Sequence, residues 1–229
     1  MSISAQQNNI NPTVSITKAA FTDLSSDAGV ELAKVLKGLK RGQHRAVFTP
    51  ELIQEMKTIC ADKVQELDGF YADQFGSKDV VRGYEPMGIE IAGQIDQKVD
   101  LLCASVGTGG ALMGTLKGLN ASGLFPKTVA LEPSQSPLLT TGRGGPHRVE
   151  GIGVGFYPPF LDDQKVDAIL AIDQDEAFEM RNILAVRHGI FCGTSTGLNV
   201  VGAIKLAKKM LPHQNVVTLG CDSGLKYLN

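Results

Sequence analysis

Ser105-Val-Gly-Thr-Gly-Gly-Ala-Leu-Met-Gly114 is the stretch around which the rest of the chain is arranged. Ahead of it runs Val99-Asp-Leu-Leu-Cys-Ala104, an apolar segment of strand length, and behind it residues 110–119 read as a helix. A buried strand, a glycine-dense turn and a helix start form a ready anion site. Glycine lets the backbone approach closely and take unusual dihedrals. Free N–H groups at the helix start, with the helix dipole behind them, favour a phosphate. A tight strand-to-helix connection that binds nothing fits the same glycines equally well.

Outward from this stretch, strands and helices alternate. Thr49-Pro50-Glu51 starts a helix, with Thr49 as cap and Pro50 in the first position, running to about Val64. Gly69-Phe-Tyr-Ala72 reads as a short strand, and residues 84–95 as a helix whose start Pro86 and Gly88 push toward Met87. After the glycine turn come strands at 128–131, ending in Glu132-Pro133, at 166–172, at 190–192 and at 215–219. Helices are expected at 173–187, capped by Asp173 or Gln174, and at 198–210. Gly193-Thr-Ser-Thr-Gly197 reads as a second glycine-bearing turn between strand and helix. Toward the front, Ser25-Ser-Asp27 caps a candidate helix over 28–39, and 46–48 is a candidate strand. Such alternation predicts parallel βαβ units, and ligands of open α/β sheets bind at the strand C-termini. Gly107, Glu132, Gly193 and Gly220 all fall there. Residues 133–160, rich in glycine and proline, form a long irregular loop of the kind that carries function or moves.

Composition narrows the partners. The chain has 229 residues, 43% hydrophobic and 20% charged, with a net charge of -2. That is ordinary for a globular protein and offers no basic stripe for nucleic acid. No apolar run is long enough to cross a membrane, and the first nine residues lack the basic-then-apolar pattern of a secretory leader. Four scattered cysteines lack metal-ligand spacing, and Cys103 and Cys192 read as small core residues. The expected setting is the cytoplasm, with no metal.

The chemistry on offer is limited. His44, His147, His188 and His213 sit in polar surroundings and read as surface histidines. Asp222 suits a turn cap better than a general acid or base, though either is open. A dinucleotide site fits poorly, because the third glycine of Gly107-Thr-Gly-Gly-Ala-Leu-Met-Gly114 falls at the wrong spacing. The absence of a following Lys-Ser/Thr pair excludes a Walker loop.

Six segments together resemble the pyridoxal-phosphate enzymes of the cysteine synthase group, in the tryptophan synthase β-like superfamily (fold type II). Asp73-Gln-Phe75 is similar to that family's Asp-Gln-Phe, and Gly107-Thr-Gly-Gly110 to its phosphate loop. Glu132-Pro-Ser-Gln-Ser-Pro137 resembles its Glu-Pro-x-x-Ser-Pro turn, and Gly144-Gly-Pro-His-Arg-Val-Glu-Gly-Ile-Gly153 its Gly-Pro-His-x-Ile-x-Gly-Ile-Gly stretch. Gly193-Thr-Ser-Thr-Gly197 looks like Gly-x-Ser-Ser-Gly, and Asp222-Ser-Gly-Leu-Lys-Tyr-Leu228 like Asp-Ser-Gly-x-x-Tyr-Leu. The set occurs in the family's order over residues 49–229.

The resemblance implies an α/β fold: an open, mostly parallel sheet with helices on both faces, and with a large part of the usual N-terminal domain missing. Residues 1–48 would be an irregular N-terminal remnant, and 49–229 the catalytic-like domain of fold type II. It implies pyridoxal 5'-phosphate as cofactor, its phosphate held by Gly107, Thr108, Gly109 and Gly110 and its pyridine nitrogen by Ser195. Gln74, Gly151 and Gly153 would lie on the substrate side. The implied reaction is β-replacement or elimination on O-activated serine-type amino acids, as in cysteine biosynthesis. The implied partners are a small amino-acid substrate and a second copy or a full-length relative, with neither nucleic acid nor membrane.

The chain departs from the pattern in two places. Ala111 stands where the phosphate loop has threonine, which removes a hydroxyl contact worth roughly 1.5–3 kcal/mol. The Schiff-base lysine has only an echo, Asn11-Pro-Thr-Val-Ser-Ile-Thr-Lys18, in which Lys18 falls one residue late; Ser25-Ser-Asp-Ala-Gly29 echoes the substrate-carboxylate loop without its asparagine. The expectation is therefore a cysteine synthase-like protein impaired by the lack of a clear Schiff-base lysine. The alternative is a non-catalytic remnant or fragment acting through protein–protein interaction.

Overall fold

The computed structural model describes residues 50–227, which belong to a unit spanning Phe48–Asn229. Lys18, the 28–39 helix, the 46–48 strand and the Thr49 cap lie outside the described residues. The elements are α1 (Pro50–Leu67), α2 (Asp79–Gln94), β1 (Leu101–Ser105), α3 (Gly110–Ala121), β2 (Lys127–Pro133), α4 (Leu138–Thr141), β3 (Ala168–Ile172), α5 (Gln174–His188), α6 (Thr194–Ala207) and β4 (Val216–Thr218).

The four strands form one parallel sheet in the order β3-β2-β1-β4. Cys103 of β1 stands opposite Val129 of β2 on one side and Thr218 of β4 on the other. Successive side chains along a strand point to opposite faces. Leu102 and Ala104 accordingly join Leu112, Leu116 and Leu119 of α3, with Met87 and Ile91 of α2 packed behind them. Leu101 and Cys103, with Val129 and Leu131 of β2, join Ala177 of α5 and Leu198 and Val201 of α6. Leu102 and Leu131 have no exposed surface, and each such burial is worth about 1.5–3 kcal/mol. Helices therefore cover both faces, as expected for α/β doubly wound sheets.

The contact between α2 and α3 depends on glycine. A Cβ on Gly88 would lie 2.1 Å from the Thr115 carbonyl oxygen, and one on Gly118 would lie 2.0 Å from that of Glu85. The two backbones are too close for any side chain at these positions. This packing also explains a difference from the sequence reading. The helix starts at Asp79, well before Met87, and holds Pro86 within it. Burial against α3 outweighs the one backbone hydrogen bond that proline forfeits.

Three further expectations are corrected. Gly69–Ala72 is irregular, and Phe70 is 92% exposed. Ile190–Cys192 forms no strand beyond a single antiparallel bridge from Cys192 to Ser223. Apolar composition alone does not make a strand, and among the described residues neither segment has a ladder partner. Gly193–Gly197 is not a separate turn: Gly193 is the N-cap and Thr194–Gly197 is the first turn of α6. The remaining elements match within a few residues, and 133–160 holds only the short α4. No helix among the described residues is long and apolar enough to cross a membrane.

Candidate functional site

The sheet order locates the edge at which a ligand crevice is expected. The chain steps from β1 to β2 to β3 in one direction, while β4 lies on the other side of β1. The order thus reverses between β1 and β4, and ligands of such sheets bind beyond the strand C-termini at that reversal. Residues 105–110 and the start of α6 both stand at this edge.

The glycine loop leaves β1 at Ser105 and enters α3 at Gly110. Gly109 takes φ +89°, the left-handed region that favours glycine. A Cβ on Gly109 would stand 2.6 Å from the Leu161 nitrogen, one on Gly107 would stand 2.6 Å from the Gly151 carbonyl oxygen, and one on Gly110 would stand 2.4 Å from Val80 Cγ1. The irregular loop after β2 wraps this turn. Gly153 N–H donates to the Val106 carbonyl at 3.2 Å, and Phe160 N–H to that of Thr108 at 2.9 Å. The loop's own N–H groups remain available. Those of Gly107, Thr108 and Gly109 have no partner among the described residues, and Gly110 N–H reaches only Thr108 Oγ1 at 3.4 Å. Adjacent unpaired donors at the start of a 12-residue helix, at a ligand-binding sheet edge, fit a phosphate group.

The start of α6 supplies three buried hydroxyls with different uses. Thr194 Oγ1 accepts from the Arg181 guanidinium at 3.2 Å, and Thr196 Oγ1 accepts from Cys221 N–H at 3.0 Å. The hydroxyl of Ser195, a residue 4% exposed, makes no hydrogen bond with the described residues. A neutral hydroxyl held on a helix and left unspent fits the pyridine nitrogen of pyridoxal phosphate. Arg181 also lies over the rings of Phe178 at 5.2 Å and Tyr227 at 5.9 Å. Tyr227 in turn donates to Asp222 Oδ2 at 2.8 Å. Burial, and then that hydrogen bond, hold the Tyr227 hydroxyl far above its ordinary range. Burial also raises the Cys192 thiol, and the Asp222 carboxylate adds to the shift. A Cβ on Gly193 would lie 2.0 Å from Asp222 Oδ1, so a larger residue would have to displace the Asp222 side chain.

The substrate-side candidates are linked to the same edge. Gly151 backs Gly107, and Gly153 holds the end of β1. Gln74 is exposed on a turn anchored by Phe75, whose ring meets Phe156 edge-on at 5.4 Å. His147 is half-buried. Its Nδ1 accepts from Val149 N–H at 3.3 Å and its Nε2 pairs with the Gly153 carbonyl at 3.0 Å, so the ring braces the 147–153 loop. Glu132 is unavailable to a ribose: it is 3% exposed and accepts from Leu139 N–H at 2.7 Å, Thr140 N–H at 3.1 Å and the Thr140 hydroxyl. That accounting closes the dinucleotide reading. The histidine brace, the half-buried Arg181 contacts and the buried Asn199 contacts were not foreseen. Only Asn199 carried a visible signal, a lone amide inside the apolar run 198–210.

Comparison with known proteins agrees with this geometry. The family of pyridoxal-phosphate dependent enzymes matches residues 25–222. A cysteine synthase of Staphylococcus aureus (strain Mu50 / ATCC 700699) is 38% identical over 143 residues, 62% of this chain and 46% of that protein. The crystal structure of cysteine synthase (OASS) from Entamoeba histolytica superposes with a TM-score of 0.68 at 30% identity, covering 77% of this chain and 52% of that one. The O-acetylserine dependent cystathionine beta-synthase from Helicobacter pylori gives a TM-score of 0.66 at 30% identity, covering 73% and 56%. The chain spans about half the length of the curated relatives it matches. A parallel sheet with unpaired loop amides at its reversal point, and a family match over most of the sequence, lead to one assignment: the chain belongs to the pyridoxal-phosphate dependent enzymes and is cysteine synthase-like.

Proposed function

We propose that the chain binds pyridoxal 5'-phosphate in the crevice between β1 and β4 and serves β-replacement or elimination on an O-activated, serine-type amino acid. The observation that carries this reading is the pairing of unspent donors. The N–H groups of Gly107, Thr108 and Gly109 and the hydroxyl of Ser195 stand at one sheet edge without partners among the described residues. The Ser105 hydroxyl at the same edge is also buried without a partner among the described residues, whereas Glu132, Thr194 and Thr196 are committed.

When bound, pyridoxal phosphate supplies an electron-withdrawing ring that acidifies the α-carbon of an amino acid and eases loss of a group from its β-carbon. The chain's own residues would do the rest. The glycine-loop amides and the α3 dipole take the phosphate charge, while Ala111 adds no hydroxyl to them. Ser195 orients the ring by a neutral hydrogen bond and places no carboxylate beside the ring nitrogen. Gly151 and Gly153 are the proposed substrate-side positions, Gly151 opening onto free space and Gly153 packed against His147, and Gln74 faces solvent at the entrance proposed for the substrate. The reaction is proposed to be impaired by the lack of a clear Schiff-base lysine, since Lys18 has only the displaced spacing. The substrate class is a small amino acid. A homodimer is the proposed assembly, supported by the exposed apolar side chains Ile190, Phe191 and Leu225, with the Phe191 ring against Gly224.

Adding pyridoxal phosphate to the purified chain tests the reading. Binding by equilibrium dialysis is expected, and no binding would sink the cofactor reading. A new visible absorbance band would show attachment to a lysine, and its survival in Lys18→Ala would exclude Lys18 as that lysine.

A further inference from the structure

Asn199 lies in α6 with none of its surface exposed. Its carboxamide sits where the sheet's own ladder runs out. Val106 N–H donates to the Leu131 carbonyl on the β2 side. Neighbouring amides of a strand point to opposite sides, so Ser105 N–H faces β4. The pairing of β1 with β4 ends at Cys103 opposite Thr218, where the Thr218 hydroxyl donates to the Cys103 carbonyl at 2.8 Å. No backbone carbonyl of β4 is left for Ser105. The Asn199 Oδ1 accepts that N–H at 2.6 Å, and its Nδ2 donates to the Leu219 carbonyl at 2.8 Å and lies 3.4 Å from Cys221 Sγ. The side-chain amide thus replaces one peptide unit between two strands as they separate.

The two ends it joins lead to the two halves of the site. Ser105 is two residues ahead of Gly107. Ser195 is one helical turn before Asn199, on the same side of α6. We propose that Asn199 is the positioning residue of the crevice: its amide wedges the ends of β1 and β4 apart and fixes the distance between the glycine loop and Ser195. A carboxamide is required because the position needs an acceptor and a donor pointing opposite ways. Aspartate lacks the donor, and glutamine carries both groups on an arm one methylene too long.

This rests on the pyridoxal phosphate reading above, and the test separates the two. In Asn199→Asp the Kd for pyridoxal phosphate is expected to rise about tenfold, while the Kd for inorganic phosphate, which needs the glycine loop alone, stays within about twofold. Ser195→Ala weakens cofactor binding in the wild-type background and is expected to add nothing in Asn199→Asp. Asn199→Gln, which keeps both hydrogen-bonding groups, is the second variant and should show the same split. Unchanged cofactor affinity in both variants, or equal weakening toward phosphate and cofactor, overturns the proposal. Hydrogen exchange on the cofactor-free proteins judges it even if the wild type binds no pyridoxal phosphate, a result that would sink only the cofactor reading. Faster exchange at Ser105 and Cys221, with Ala130 and Leu131 still protected, is expected; a uniform rise or no rise overturns the wedge.

Discussion

Ala111 is the one position of the glycine loop where the side chain matters as much as the backbone. It is half-buried in the first turn of α3, immediately after the unpaired amides. Its methyl gives the proposed phosphate nothing to bond. Ala111→Thr should therefore tighten pyridoxal phosphate and inorganic phosphate alike, by about tenfold to a hundredfold, as one added hydrogen bond to an anion predicts. Titration of both ligands checks it, and a gain for the whole cofactor alone would place the hydroxyl away from the phosphate. The loop was legible because glycine at Gly107, Gly109 and Gly110 is demanded by backbone contacts below 3 Å, apart from the branch at Val80. The role of Asn199 was not legible. A buried amide can be recognised in an apolar helix, but its partners, Ser105 and Leu219, lie 94 and 20 residues away.

The cap of α5 offers a test at the level of one element. Asp173 Oδ1 accepts from Asp175 N–H at 2.8 Å, and Asp173 Oδ2 accepts from the Gln135 amide at 2.7 Å. The Asp175 N–H bond first, and then that from Gln135, hold the Asp173 carboxyl below its ordinary 3.8. With the folded value depressed, the unfolded chain binds the extra proton. The stabilisation is therefore fully present above pH 3.8 and is lost as pH falls through the folded value. Asp173→Ala should cost about 1 kcal/mol near neutral pH, and urea titrations should show the gap closing in acid. A gap of constant size at every pH would remove the carboxylate from the account. Helices with such signals, α1, α5 and the glycine-started α3, were legible from sequence. The segments 69–72 and 190–192 were misread because strand identity belongs to the pairing partner, which no local pattern contains.

Across the whole molecule, alternation of strands and helices was enough to predict a parallel sheet, and the family resemblance supplied its two covered faces. The crossing of β4 to the far side of β1 was not, because it depends on which exposed strand edge the returning chain meets. That crossing creates the crevice, and it also distributes the four cysteines in a useful way. Cys103 and Cys192 are buried, and burial pushes the Cys103 thiol up to about 11. Neither should react with a thiol reagent in the native protein, since the thiolate is the nucleophile. Cys60 on α1 and Cys221 beyond β4 are exposed. Cys221 belongs to the crevice wall: its N–H bonds Thr196 beside Ser195, and its sulfur lies against Asn199. Two thiols should therefore react in the native protein and four after unfolding. Saturating pyridoxal phosphate should slow Cys221 and leave Cys60 unchanged, with a Cys60→Ser variant identifying which thiol is which. Equal slowing of both would point to a global change in stability, and no slowing of Cys221 would place the cofactor away from the edge between β1 and β4.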